Sequence, residues 1–235
     1  MMTRTTIARL AGFMFLFYIV AGIIGMVLFN QASGGETAAA RLASIAEHRP
    51  LAGLSFVVAV IGIFNALVLG WALYVLTRDE DPDLALLALL CRVVEGAINA
   101  IPAIAILALL SMASGAPRLP DDSAQTALSA FLFSVQEWSV TVGATVFAAG
   151  SLLYAWLFLR ARSIPVWLAW LGLLASPQLI VTVPLAGLGV LTGAAVGIMW
   201  LPMLIFEVGL GLLLLTKGTA ALSRPRLAAA QAAVL

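Results

Sequence analysis

The chain has 235 residues, of which 63% are apolar and only 10% charged, and its mean hydropathy is +1.11. Soluble domains carry about 25% charged and 45–50% apolar residues, so this composition excludes an ordinary soluble fold and points to a polytopic membrane protein. The formal net charge of +1 argues against nucleic acid as a partner, since phosphate binding needs a basic face.

The first apolar segment is Ile7 to Phe29, roughly 23 residues and long enough for a hydrocarbon core near 30 Å. Arg4 and Arg9 flank it as they would a signal peptide, but it is too long for a signal h-region and no clean A-x-A site follows. It reads as a retained first span, with Gly12, Gly22 and Gly25 suited to close helix contact. Asn30 to Pro50 is the longest polar connection. Within it, GETAAARLASIAEHR reads as a short amphipathic interfacial helix with Leu42, Ile45 and Ala46 inward. Segment two is Leu51 to Thr77, with Asn65 near mid-depth and Trp71 and Tyr74 at anchor positions.

RDEDPD, Arg78 to Asp83, is a tight charged turn. Segment three, Leu84 to Met112, is LALLALLCRVVEGAINAIPAIAILALLSM. Arg92 and Glu95 lie well inside it, where a charge costs roughly 2.5–3.5 kcal/mol on insertion scales. Three residues apart, they share one helix face, and Asn99 and Pro102 continue it. A lipid-facing surface would not carry this row, so the sequence predicts a polar interior.

SGAPRLPDD, Ser114 to Asp122, is a loop by composition, and Asp122 or Ser123 is expected to cap the next helix. Segment four runs from about Ala124 to Leu159, with polar first turns outside the bilayer. Ser134, Glu137, Thr141 and Thr145 recur on one of its faces; Trp138 either joins an aromatic belt or lines a pocket. RARSIP, Arg160 to Pro165, is a second charged turn. Segment five, Ile164 to Val183, has Trp167 and Trp170 at belt positions, Pro177 and Gln178 inside and Pro184 at its end. Segment six, about Val190 to Thr216, contains Pro202 and Glu207. Proline at 202 would free the Ile198 carbonyl and bend the helix.

The expected fold is therefore all-α: one transmembrane domain over 1–235, a polytopic bundle of six spans, with 217–235 a short cytoplasmic tail. With the N-terminus inside, the inner side holds Arg4, Arg9, Arg78, Arg160, Arg162, Lys217, Arg224 and Arg226, against Arg41, Arg49 and Arg118 outside. That asymmetry predicts N-in/C-in insertion in the cell inner (plasma) membrane.

At 1.5 Å per residue, Glu95, Glu207 and Asn65 lie roughly 17, 15 and 18 Å from the inner ends of their segments and can occupy one layer. Arg92 can pair with Glu207 or Glu95, and Glu137 lies in the outer half of segment four. One arginine balances one carboxylate, so the others must be protonated, paired with another donor, or exposed to water. The candidate ligand-binding or proton-exchanging residues are Arg92, Glu95, Glu137, Glu207, Asn65 and Asn99. No metal or cofactor is expected: His48 is the only histidine, Cys91 the only cysteine, and Lys217 the only lysine, which excludes a multi-histidine site, a cysteine cluster and an intramembrane Schiff base. There is no G-x-x-x-x-G-K-[ST], H-E-x-x-H or G-x-S-x-G motif.

Four stretches carry a resemblance: ARLAGFMFLFYIVAGIIG (Ala8 to Gly25), ALLALLCRVVEGAI (Ala85 to Ile98), LLYAWLFLRARSIPVWLAWLGLLA (Leu152 to Ala175) and LPMLIFEVGLGLLLLTKG (Leu201 to Gly218). They resemble a bacterial and archaeal family of about six-helix membrane proteins catalogued only as a domain of unknown function. The resemblance implies that Arg92, Glu95, Arg160, Ile164, Pro165 and Glu207 are its most specific positions. The chain departs from it where many members have Y-R-S-G-x-x-P, here partly replaced by Ala161-Arg162-Ser163, and where many have a helix-four histidine in place of Glu137.

The family implies a fold and no activity, so three readings stand. The leading one is an intramembrane site in the lipid bilayer that binds a small hydrophobic or anionic, lipid-like ligand or exchanges protons. The second is an intramembrane enzyme on a hydrophobic substrate with a protonated glutamate as general acid. The third is a structural or sensory subunit whose charges lock the helices.

Overall fold

A computed structural model describes residues 2–116 and 120–218. Arg118 and all but the first two residues of the 217–235 tail lie outside the described residues.

The described residues form helices joined by short turns: α1 (Arg4–Ala32), α2 (Ala38–Glu47), α3 (Arg49–Thr77), α4 (Pro82–Met112), α5 (Asp122–Arg160), α6 (Val166–Gly187), α7 (Ala194–Ile198) and α8 (Leu201–Lys217). Helices α1, α3, α4, α5 and α6, and the stretch Ala194–Lys217, are long and apolar enough to cross a membrane. The chain is thus an all-α polytopic protein with six spans.

Local chemistry sets where these helices begin. Thr37 caps α2 by accepting the Ala40 N–H at 3.2 Å, and Leu42 and Ile45 are buried; Ala46, expected inward, is exposed. The cap of α5 is Asp121, one residue before the expected pair. Its carboxylate accepts the Ala124 N–H at 2.8 Å and the Ser123 hydroxyl at 2.7 Å. The Ala124 bond and then the Ser123 hydroxyl hold this carboxyl below its ordinary range.

The sixth span has a break ahead of Pro202, although Met199 and Trp200 keep right-handed helical dihedrals. Helix α7 stops at Ile198 and α8 restarts at Leu201, with Pro202 in the first turn of α8. There a missing N–H costs nothing. The Met199 carbonyl at the break accepts a hydrogen bond at 3.1 Å from the side-chain amide of Gln178 on α6.

The chain divides into two compact units. The first comprises Met1–Phe17, Asn65–Glu95 and the chain from Ala144. Its core includes Phe15, Leu73, Tyr154, Phe158, Phe206 and Leu210. Helices α1 and α8 approach closely at Gly12, where a methyl group would run into the backbone of Gly211 and Leu215. The turn between α3 and α4 gathers ion pairs. Arg4 pairs with Asp79 and donates to the Leu76 carbonyl at 2.7 Å, and Arg160 meets Glu80 at 3.3 Å and Asp81 at 3.1 Å.

Helix α5 ends in a doubly bonded turn: the Ser163 N–H donates to the Phe158 carbonyl at 3.2 Å and the Arg162 N–H to that of Leu159 at 3.0 Å. This is a Schellman closure with Arg162 at its left-handed position, φ +46°. Glycine usually takes that place, because a Cβ there costs roughly 1–2 kcal/mol.

The second unit comprises Tyr18–Phe64 and Gly96–Gly143. Phe29, Leu42, Ile45, Ile106, Leu109 and Phe133 build its core. The Arg41 guanidinium of α2 lies 3.7 Å from the centre of the Phe133 ring and 3.9 Å from the Glu137 carboxylate. Of the glycines expected at contacts in this half of α1, Gly25 faces Val58, whereas Gly22 has no atom beside it.

Candidate functional site: a buried arginine shared by two carboxylates

The polar centre of the first unit is Arg92 on α4. The absence of a side chain at Gly70 on α3 makes room for it: a Cβ there would lie 2.9 Å from the Arg92 Cβ. The Arg92 side chain is 1% exposed. Its Nη1 donates to Glu95 Oε2 at 3.0 Å, one turn along the same helix. Its Nη2 donates to the Ser151 hydroxyl of α5 at 3.2 Å. Glu207 Oε1, on α8, lies 3.7 Å from the same nitrogen. The Phe147 ring of α5 stands under the guanidinium, 4.7 Å from its carbon.

The two carboxylates are held differently. Glu95 accepts a charge-assisted hydrogen bond of ordinary length. Glu207 is in Coulombic range of Arg92 but beyond hydrogen-bond length, and its Oε1 is buried with no hydrogen-bond partner among the described residues. Formal charge in the cluster is one positive against two negative, in a place closed to water. An ion pair removed from water repays its desolvation only when its geometry is good and its remaining lone pairs are satisfied. Glu95 has hydrogen-bond geometry to the guanidinium and Glu207 does not.

The other expected residues divide. Asn65, also in the first unit, is buried and donates to the Met14 sulfur at 3.2 Å, while its Oδ1 has no hydrogen-bond partner among the described residues. Asn99 belongs to the second unit, donates to the Tyr18 hydroxyl at 3.4 Å and sits against Gly143. Glu137 also belongs to the second unit, and its side chain is 71% exposed beside Arg41. Neighbouring Trp138 is exposed as well. Gly70, Phe147, Ser151 and Tyr154, whose hydroxyl donates to the Gly70 carbonyl at 3.1 Å, were absent from the sequence expectation. Phe147, Ser151 and Tyr154 follow one another at spacings of four and three, so a face-by-face reading of α5 finds them. Among the described residues, no three histidine, cysteine, aspartate or glutamate side chains form a metal-sized group.

Six apolar spans with an ionic cluster sealed inside one unit define a class, the integral membrane proteins with a buried charged centre. Within that class, residues 10–218 match the family described as "Domain of unknown function (DUF4386)", and the chain belongs to it. No curated protein and no solved structure matches.

Proposed function

We propose that this chain is a multi-pass inner-membrane protein whose Arg92–Glu95–Glu207 cluster exchanges protons, with Glu207 the group that takes and releases them. The observation that carries this reading is the charge count: two carboxylates face one guanidinium, and only one is hydrogen-bonded to it. Closed to water, the cluster reaches neutrality when one proton, or a cationic group of a small ligand, joins it. The weakly held Glu207 is the place for either, since a proton there converts an acceptor without a partner into a donor. The positive-inside bias, with Arg4, Arg9, Arg78, Arg160, Arg162 and Lys217 on one side of the alternating spans and Arg41 and Arg49 on the other, supports N-in/C-in insertion.

The test is pH-dependent infrared difference spectroscopy on the full chain in lipid. Wild type should show a buried carboxylic acid band that changes with pH and disappears in Glu207→Gln. A spectrum in which no buried carboxyl changes across the pH range would leave an architectural lock between α4, α5 and α8, a role to which the Arg92 hydrogen bonds to Glu95 and Ser151 are also suited.

A further inference from the structure

The cleft beside the α5–α6 turn lies apart from the Arg92 cluster. It has a volume of about 430 Å³ and is lined by Leu159, Arg160, Arg162, Val166 and Trp170. Its two arginines are differently engaged. Arg160 is shared between Glu80 and Asp81. Arg162 is exposed, and among the described residues no carboxylate lies within ion-pair distance of its guanidinium. Arg162 also holds the left-handed turn position at φ +46°, where glycine would relieve the backbone.

Beyond the cleft, an apolar track continues along α6. Val166, Trp170 and Leu174 follow at four-residue spacing on one face, and all are exposed, at 53%, 52% and 68%. This turn closes two membrane-spanning helices, and exposed Trp167 and Trp170 sit in its first α6 turns, the level of lipid headgroups. The arrangement is therefore a cation at headgroup level, an indole beside it and an apolar strip leading toward the hydrocarbon.

We propose that this cleft is a binding site for one anionic glycerophospholipid. Arg162 meets the headgroup phosphate and Trp170 packs at the glycerol level. An acyl chain lies along Val166 and Leu174. Guanidinium matches phosphate oxygens geometrically as well as by charge. A zwitterionic lipid offers the same phosphate but places an ammonium beside the arginines, so the cleft selects net negative headgroups.

Native mass spectrometry of the full chain, released from micelles holding equal phosphatidylglycerol and phosphatidylcholine, tests this. Wild type should retain phosphatidylglycerol preferentially. Arg162→Gln should lower that retention about fivefold, the value of one basic residue at an anionic surface, and lower phosphatidylcholine retention less, so that the preference narrows. Arg162 is exposed, so the variant should fold, and a thermal midpoint raised by phosphatidylglycerol in wild type but not in Arg162→Gln gives a second readout. Equal retention of the two lipids overturns the proposal, as does an unchanged preference in Arg162→Gln. Displacement of phosphatidylglycerol by inorganic phosphate alone would also overturn it, by showing a site for the free anion rather than for a lipid.

Discussion

Arg92 carries one positive charge, with Glu95 at 3.0 Å and Glu207 at 3.7 Å, and the consequences of removing each member are unequal. Arg92→Met leaves two buried carboxylates without their cation and should cost about 3–5 kcal/mol, the usual consequence of breaking a buried pair. Glu207→Gln leaves the Arg92–Glu95 pair intact and removes the excess negative charge, so its cost should stay below about 1 kcal/mol. Thermal midpoints of the two variants in the same detergent measure the difference; equal losses would mean that Arg92 serves Glu207 as strongly as Glu95. This asymmetry was half legible in the sequence. The three-residue spacing places Glu95 beside Arg92, and an estimate of depth puts Glu207 in the same layer. The helical spacing of Phe147, Ser151 and Tyr154 shows that they share a face of α5, but not that this face meets Arg92, because a serine and a phenylalanine in an apolar run name no partner. Glu137 shows the converse: its depth along α5 was readable, but its partner Arg41 comes from α2, and helical period alone does not say which face meets lipid.

At the level of the element, the lengths of the spans followed from hydropathy, and the glycines separate contact from mere composition. Gly12 and Gly22 lie ten residues apart on α1. Gly12 abuts the α8 backbone, and Gly22 faces open space. Gly12→Ala should therefore destabilise by about 1–3 kcal/mol through overpacking, and Gly22→Ala should gain roughly 0.5–1 kcal/mol from helix preference. Paired unfolding curves of the two variants give opposite signs if α1 and α8 meet as described, and the same sign if they do not. Pro202 raises a related question. A proline inside an apolar run reads equally well as a bend within one helix or as the first turn of a second, and the choice rests on whether Met199 finds a partner outside its own helix. Gln178 is that partner, 21 residues earlier in the chain.

For the whole molecule, the number of spans and the charged turns were the most readable features, since lipid demands long apolar stretches and tolerates charge mainly at their ends. The α3–α4 turn is acidic, and Arg4 and Arg160 converge on it from α1 and α5. This convergence was invisible in the sequence because it joins helices far apart along the chain. Exposed pairs of this kind contribute little each, so their service is to fix which helix ends lie together. Insertion with the N-terminus inside gives a direct test in a Cys91→Ala background. In intact cells a membrane-impermeant maleimide should label Glu36→Cys and leave Arg78→Cys unlabelled until the membrane is opened. The reverse pattern would invert the topology and, with it, the leaflet that the Arg162 cleft faces.

The break between α7 and α8 has a consequence for the order of assembly. In hydrocarbon, a backbone carbonyl without a partner is several kcal/mol unfavourable, so Met199 settles only against an amide already waiting for it. Synthesis runs from the N-terminus, and α6 with Gln178 leaves the ribosome before the break does. The fifth span thus serves as a template on which the last one is completed, and the five-residue α7 is held in line by a side chain belonging to its predecessor.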